Sequence, residues 1–113
     1  MLRYHKLLAG ASWMGEYGDP EDPAMAAALR RYSPYQNIKP DARYPRIYFY
    51  TSTKDDRVHP GHARRMVHRM RELRHPVLYY ENTEGGHSAA ADLKQRIRLW
   101  TYHYTYFLKT LFN

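Results

Sequence analysis

Two residues of this chain have the types and placement for proton-transfer chemistry. Asp55 lies in Asp55-Asp56-Arg57-Val58 after one apolar run, and His87 lies in Glu84-Gly85-Gly86-His87 after a second. A carboxylate that accepts a hydrogen bond from one imidazole nitrogen fixes the tautomer and leaves the other nitrogen free to take a proton from a nucleophile, so the pair would make two thirds of a Ser-His-Asp triad. The plainer reading makes Asp55 and Asp56 capping carboxylates at a helix start and His87 a surface loop residue; spacing alone leaves both open. No nucleophile accompanies them. The strand-to-helix serine elbow G-x-S-x-G does not occur; Gly10-Ala11-Ser12-Trp13-Met14 comes nearest, but it lacks the last glycine and follows no strand pattern. His59-Pro60-Gly61-His62, with His68 and His75, offers imidazoles to a metal. Zinc takes three or four converging ligands, however, and neither a cysteine nor an acidic motif completes such a set. The expectation is therefore no metal and no cofactor.

The elements that must position the pair form a strand-helix-strand unit. Arg46-Ile47-Tyr48-Phe49-Tyr50-Thr51-Ser52 carries β-branched and aromatic residues on successive positions, which suits a strand buried on both faces of a parallel sheet. A helix opens at Pro60 or Gly61, with Ala63, Met66, Val67, Met70 and Leu73 at helical spacing, and His75-Pro76 ends it. Val77-Leu78-Tyr79-Tyr80 is the second strand, and Gly85 and Gly86 are expected to turn the backbone sharply and bring His87 to the strand mouth. Two parallel strands joined by a crossover helix point the same way, so both loops open on one edge, where open α/β sheets place their ligands.

Around this unit, Met1 to Tyr17 is too rich in glycine for a confident helix and reads as a segment packed against something else. Asp22-Pro23 is a capping carboxylate followed by proline at the first helical position, predicting a helix over Ala24 to Tyr32 that Ser33-Pro34 stops. Ala89 to Phe112 reads as one long helix with Leu93, Ile97, Trp100, Tyr104, Phe107, Leu108 and Leu111 on a broad apolar stripe. Two strands with three helices leave both sheet edges unpaired, a hazard that native proteins normally cover. The chain is thus expected to be part of something larger, or to self-associate or exchange segments between copies.

At 113 residues the chain is at most one modest domain. The absence of cysteine removes disulfides, thiolate nucleophiles and cysteine zinc sites together. No apolar run reaches membrane-spanning length and the amino terminus lacks the apolar region of a secretory signal, so no membrane is expected and a cytoplasmic location is the default. The formal charge of +7 and twelve tyrosines raise nucleic-acid binding. Yet the cations (Arg64, Arg65, Arg69, Arg71 and Arg74; Lys94, Arg96 and Arg98) fall on helix faces opposite the apolar ones, the pattern of solvated surfaces, and the expectation is against a nucleic-acid partner.

The ordered set Met1-Leu2-Arg3-Tyr4-His5-Lys6, Trp13 to Tyr17, Tyr32-Ser33-Pro34-Tyr35-Gln36-Asn37, Asp55-Asp56-Arg57-Val58 and Gly86-His87 resembles the carboxyl-terminal part of the peptidase domain of the prolyl oligopeptidase family. These are post-proline-cleaving serine peptidases with an α/β-hydrolase domain and a β-propeller. The resemblance implies an α/β chain, residues 1–113 forming an incomplete α/β-hydrolase fold without propeller or nucleophile elbow. It implies that Asp55 is the triad acid and His87 the general base. It further implies that Arg57 bonds a substrate carbonyl with its fork of donors, that Trp13 stacks on the substrate proline, and that Tyr17 and Val58 wall that pocket. A flat apolar ring suits a proline, although core packing is the plain alternative for Trp13 taken alone. In this fold the order is serine, acid, histidine, so the missing serine would lie before Met1. The chain alone is then expected to be inactive, taking a peptide substrate only if an upstream part completes it; the rival is a self-associating or protein-docking remnant without catalysis.

Overall fold

The computed structural model describes residues 1–87 and 92–112. The first seventeen residues make two 3-10 turns, Tyr4–Lys6 and Leu8–Trp13, and one helical turn, α1, Met14–Tyr17. They fold back tightly. An ideal Cβ on buried Gly10 would lie 1.8 Å from the Tyr4 carbonyl oxygen, so only glycine fits there, and the Tyr4 hydroxyl donates to the Gly18 carbonyl at 2.8 Å. Helix α2, Pro23–Tyr32, begins as its sequence dictates: the Asp22 carboxylate accepts from the Met25 N–H at 2.8 Å. Its last turn is closed by Asn37, whose amide donates to the carbonyls of Arg30 and Ser33, each at 2.8 Å.

Strand β1, Ile47–Ser52, and strand β2, Val77–Asn82, pair in parallel, from Ile47 opposite Val77 to Ser52 opposite Asn82. Helix α3, Gly61–Glu72, is the crossover and buries Val67 and Met70. It ends at Glu72, three residues before His75: the N–H of Arg74 donates to the Arg71 carbonyl and that of His75 to the Met70 carbonyl, both at 2.9 Å. This paired closure needs a left-handed residue after the cap, here Arg74 at φ 60. Helix α4, Leu93–Leu111, starts on the Asp92 carboxylate, which accepts from the Gln95 N–H at 2.8 Å. The part of the expected long helix that falls on Ala89 to Ala91 lies outside the described residues.

One expectation is corrected. The strands are not buried on both faces: Tyr50 and Leu78 are exposed, because the two-stranded sheet is larger than what covers it. The stripe on α4 does not pack on the sheet, and Leu93, Ile97, Trp100, Tyr104, Phe107, Leu108 and Leu111 are all exposed. The helix meets the strands through aromatic rings, and Leu99 is its buried residue among those described. His103 packs against Tyr48 and Tyr50, Tyr102 packs edge-on against Tyr80, and Tyr106 donates to the Arg46 carbonyl at 2.7 Å. The apolar core is correspondingly small, with Tyr4, Leu29, Val67, Met70 and Leu99 buried among the described residues. The radius of gyration of 16.0 Å exceeds the about 13 Å of a closely packed chain of this length.

Candidate active site

The acid is held by its own loop. Where β1 ends, the Thr53 N–H donates to the Asn82 carbonyl at 2.8 Å and the Asp55 N–H to the Ser52 carbonyl at 3.2 Å, which bends the chain out of the sheet. One Asp55 oxygen then accepts from the backbone N–H groups of Arg57 at 2.9 Å and Val58 at 2.8 Å. This local turn is what a short carboxylate does best. The helix begins only at Gly61, so Asp55 caps a turn and not a helix. Burial alone would raise the carboxyl's proton affinity, but the two N–H donors and the adjacent imidazole outweigh it and hold Asp55 below its ordinary value. It is therefore ionised at neutral pH.

On the neighbouring strand, buried Asn82 accepts from the Glu84 N–H at 3.3 Å and starts the loop that carries His87. That loop turns without a left-handed glycine, since the only glycine at positive φ among the described residues is Gly18. His87 does reach the strand mouth, but Gly86 is not required there for space: a Cβ on it would meet the Lys54 carbonyl at 3.7 Å, an ordinary contact. The His87 Nδ1 lies 3.0 Å from both Asp55 oxygens. An ionised carboxylate only accepts, so Nδ1 carries the proton and a neutral ring presents a free lone pair at Nε2. His87 is 44% exposed and Asp55 11%, which leaves the ring reachable while its partner is shielded.

The pair opens on a cavity of about 590 Å³ whose walls include Phe49, Val58, His59, His62 and Met66. Of the sequence-predicted residues, the structure brings Asp55, His87 and Val58 to this cavity. Arg57 stands beside it, exposed. Trp13 ends the second 3-10 turn and Tyr17 ends α1, and neither lines the cavity; Tyr17 is set edge-on against Tyr4 at 5.8 Å. Three serines are committed elsewhere: the Ser12 hydroxyl donates to the Ala9 carbonyl at 2.6 Å, that of Ser33 to Gln36, and that of Ser52 to the Asn82 carbonyl at 3.2 Å. Ser88 lies outside the described residues. No group of three or more metal-ligating side chains gathers among the described residues, and His59 and His62 stand on the cavity wall instead.

One cluster escaped the sequence reading. Glu81, near the end of β2, accepts from the Thr53 hydroxyl at 2.5 Å, from the Tyr79 hydroxyl at 2.5 Å and from Arg64, whose Nε is 3.0 Å away. The Arg64 guanidinium, followed by the hydroxyls and against the effect of burial, holds its carboxyl at about 2. Burial, then the neighbouring carboxylate, pushes Tyr79 up to about 12, so its hydroxyl remains a donor. The only possible signal was Glu81 alternating with Tyr79 on the strand, which cannot be interpreted without the neighbours' register.

Comparison with known proteins gives this geometry a lineage. The whole chain, residues 1–113, matches the prolyl oligopeptidase family. It is 47% identical over 113 residues to an uncharacterized peptidase, y4nA, of Sinorhizobium fredii, and 36% identical over 117 residues to the prolyl oligopeptidase ophP of Omphalotus olearius. A solved post-proline cleaving enzyme from Rickettsia typhi superposes with a TM-score of 0.91 at 33% identity, covering 98% of this chain and 16% of that one. The chain spans 16% of the length of each of the two curated relatives as well. Its two parallel strands and flanking helices are part of the α/β-hydrolase fold of such enzymes, and the chain belongs to the prolyl oligopeptidase family.

Proposed function

We propose that these residues supply the acid-base half of a serine peptidase site that cleaves short peptides after proline. Asp55 holds the His87 ring with its proton on Nδ1. As a serine hydroxyl attacks the scissile carbonyl carbon, its proton moves to His87 Nε2, and the same proton is then delivered to the departing amine. Arg57, exposed next to the cavity, would donate to a carbonyl upstream of the scissile bond. By the family resemblance Trp13 would stack on the proline, with Tyr17 and Val58 as walls, although of these three only Val58 lines the cavity beside His87 among the described residues. In this reading the serine comes from outside these 113 residues, since no G-x-S-x-G elbow occurs in them; the Ser12, Ser33 and Ser52 hydroxyls donate to other partners. Loss of one triad member removes about four or more powers of ten in rate, so the isolated chain hydrolyses nothing at a useful rate.

The observation that carries this reading is the 3.0 Å contact from His87 Nδ1 to the Asp55 carboxylate at the mouths of two like-directed strands. A fluorophosphonate probe with peptide mass mapping tests it: no serine of the purified chain is labelled, and labelling at any of them refutes the account of the nucleophile. Asp55→Asn, read by histidine ring 15N shifts, is expected to abolish the preference for the Nδ1–H tautomer.

A second reading is favoured by the exposed stripe of α4. In it, the chain associates with a second copy through that stripe and performs no catalysis.

A further inference from the structure

Beyond the ends of the paired strands, little ties the acid loop to the strand that leads to the histidine. The Asp55 turn fixes the shape of its own loop, not the attitude of that loop to β2. Among the described residues two bonds run from the acid loop to β2, and both fall on Thr53: its N–H donates to the Asn82 carbonyl at 2.8 Å, and its hydroxyl donates to Glu81 at 2.5 Å; at the end of β1 the Ser52 hydroxyl donates to the same Asn82 carbonyl at 3.2 Å. The same carboxylate takes the Arg64 guanidinium of α3 and the Tyr79 hydroxyl. Glu81 therefore joins the root of the acid loop, the crossover helix and the strand that carries the histidine loop through one side chain. A carboxylate accepts through both oxygens at once, and here every donor comes from a different position in the chain.

We infer that Glu81 is a positioning residue for the Asp55–His87 pair. Resting on the acid-base reading above, this assigns to Glu81 the task of holding Thr53, and with it the two loops, at the separation where His87 Nδ1 stays bonded to Asp55. Without the carboxylate, Arg64, Tyr79 and Thr53 lose a common acceptor, and among the described residues the root of the acid loop is left with the Thr53 N–H and Ser52 hydroxyl bonds to the Asn82 carbonyl. Asp55 and His87 then drift relative to one another while the sheet itself persists through its backbone ladder.

The test uses the whole chain labelled with 15N at histidine. Ring 15N spectra at neutral pH report which nitrogen carries the proton. Glu81→Ala is expected to shift His87 from a single Nδ1–H tautomer toward the averaged signals of a free imidazole. Thr53→Val, which leaves Arg64, Tyr79 and Glu81 joined, moves the same signals in the same direction by a smaller amount. Tyr106→Phe removes a hydrogen bond to the Arg46 carbonyl at the other end of β1 and leaves His87 unchanged. Should Glu81→Ala fail to fold, as judged by amide dispersion, Thr53→Val decides alone. His87 signals that stay at their wild-type positions in the folded Glu81 variant and in Thr53→Val overturn the inference, as does an equal shift in Tyr106→Phe. Failure of the underlying reading is separate: Asp55→Asn would then leave His87 unmoved.

Discussion

Replacing Glu81 by glutamine keeps the shape of the side chain and an acceptor for Thr53, and removes the charge opposite Arg64. Its effect on stability follows from the titration. Glu81 is held at about 2, where an ordinary glutamate titrates at 4.5; at about 1.36 kcal/mol per tenfold change in proton affinity, that separation sets an upper limit of about 3 kcal/mol. Arg64 is 48% exposed, so water screens the pair and a realistic contribution is about 1–2 kcal/mol. The folded-state value lies below the unfolded one. The contribution is therefore complete above about pH 4.5 and is lost as pH falls toward 2. Urea unfolding followed by far-UV circular dichroism, at one protein concentration and a series of pH values, should show Glu81→Gln less stable by about 1–2 kcal/mol at neutral pH. The two proteins should converge at the acid end. A difference that stays constant across that range, or is already absent at neutral pH, refutes the claim that an ionised Glu81 holds the cluster.

Gly10→Ala places a Cβ 1.8 Å from the Tyr4 carbonyl oxygen, and since backbone must move to relieve it, a loss of about 2–3 kcal/mol is expected in the same unfolding assay. Arg74→Gly relieves a left-handed φ of 60 at the end of α3; against the greater freedom of glycine in the unfolded chain, a net gain of about 0.5–1 kcal/mol is expected. We further propose that the isolated chain self-associates. A second copy is the only partner available to the α4 stripe in a pure solution, so light scattering should give a mass that rises with concentration, and Ile97→Glu with Leu108→Glu should reduce it to a monomer. A sharp monomer peak from the unaltered chain refutes that proposal.

Much of the fold could be read from local chemistry. Asp22-Pro23 starts α2, the run from Ile47 to Ser52 is β1, and the helical spacing of Val67 and Met70 marks the buried side of α3. Where local chemistry is silent, the reading fell short. Strand β2 runs two residues further than its apolar stretch, through Glu81 and Asn82, because the ladder to Thr51 and Ser52 supports residues of any polarity. The period of α4 was legible, but not which side of it meets the sheet. Its tyrosine and histidine side packs inward because a ring can bury its body while its polar tip finds a carbonyl at the edge, as Tyr106 does at Arg46.

The candidate site divides along the same line. Asp55 and His87 could be proposed as neighbours in advance because direction alone brings them to one side: parallel strands empty onto one edge, and each residue lies in the loop that leaves its strand. Glu81 could not be, because its role depends on register. Moving β2 by one residue would send its side chain to the opposite face of the sheet, away from Arg64, and leave Thr53 without its acceptor. The direction of the strands brings an acid near a histidine, whereas the one register in which Ser52 stands opposite Asn82 lets Glu81 tie the acid loop to the strand before the histidine. A substitution that preserves the sheet but breaks that tie should therefore act on the bond between Asp55 and His87 first, and on global stability second.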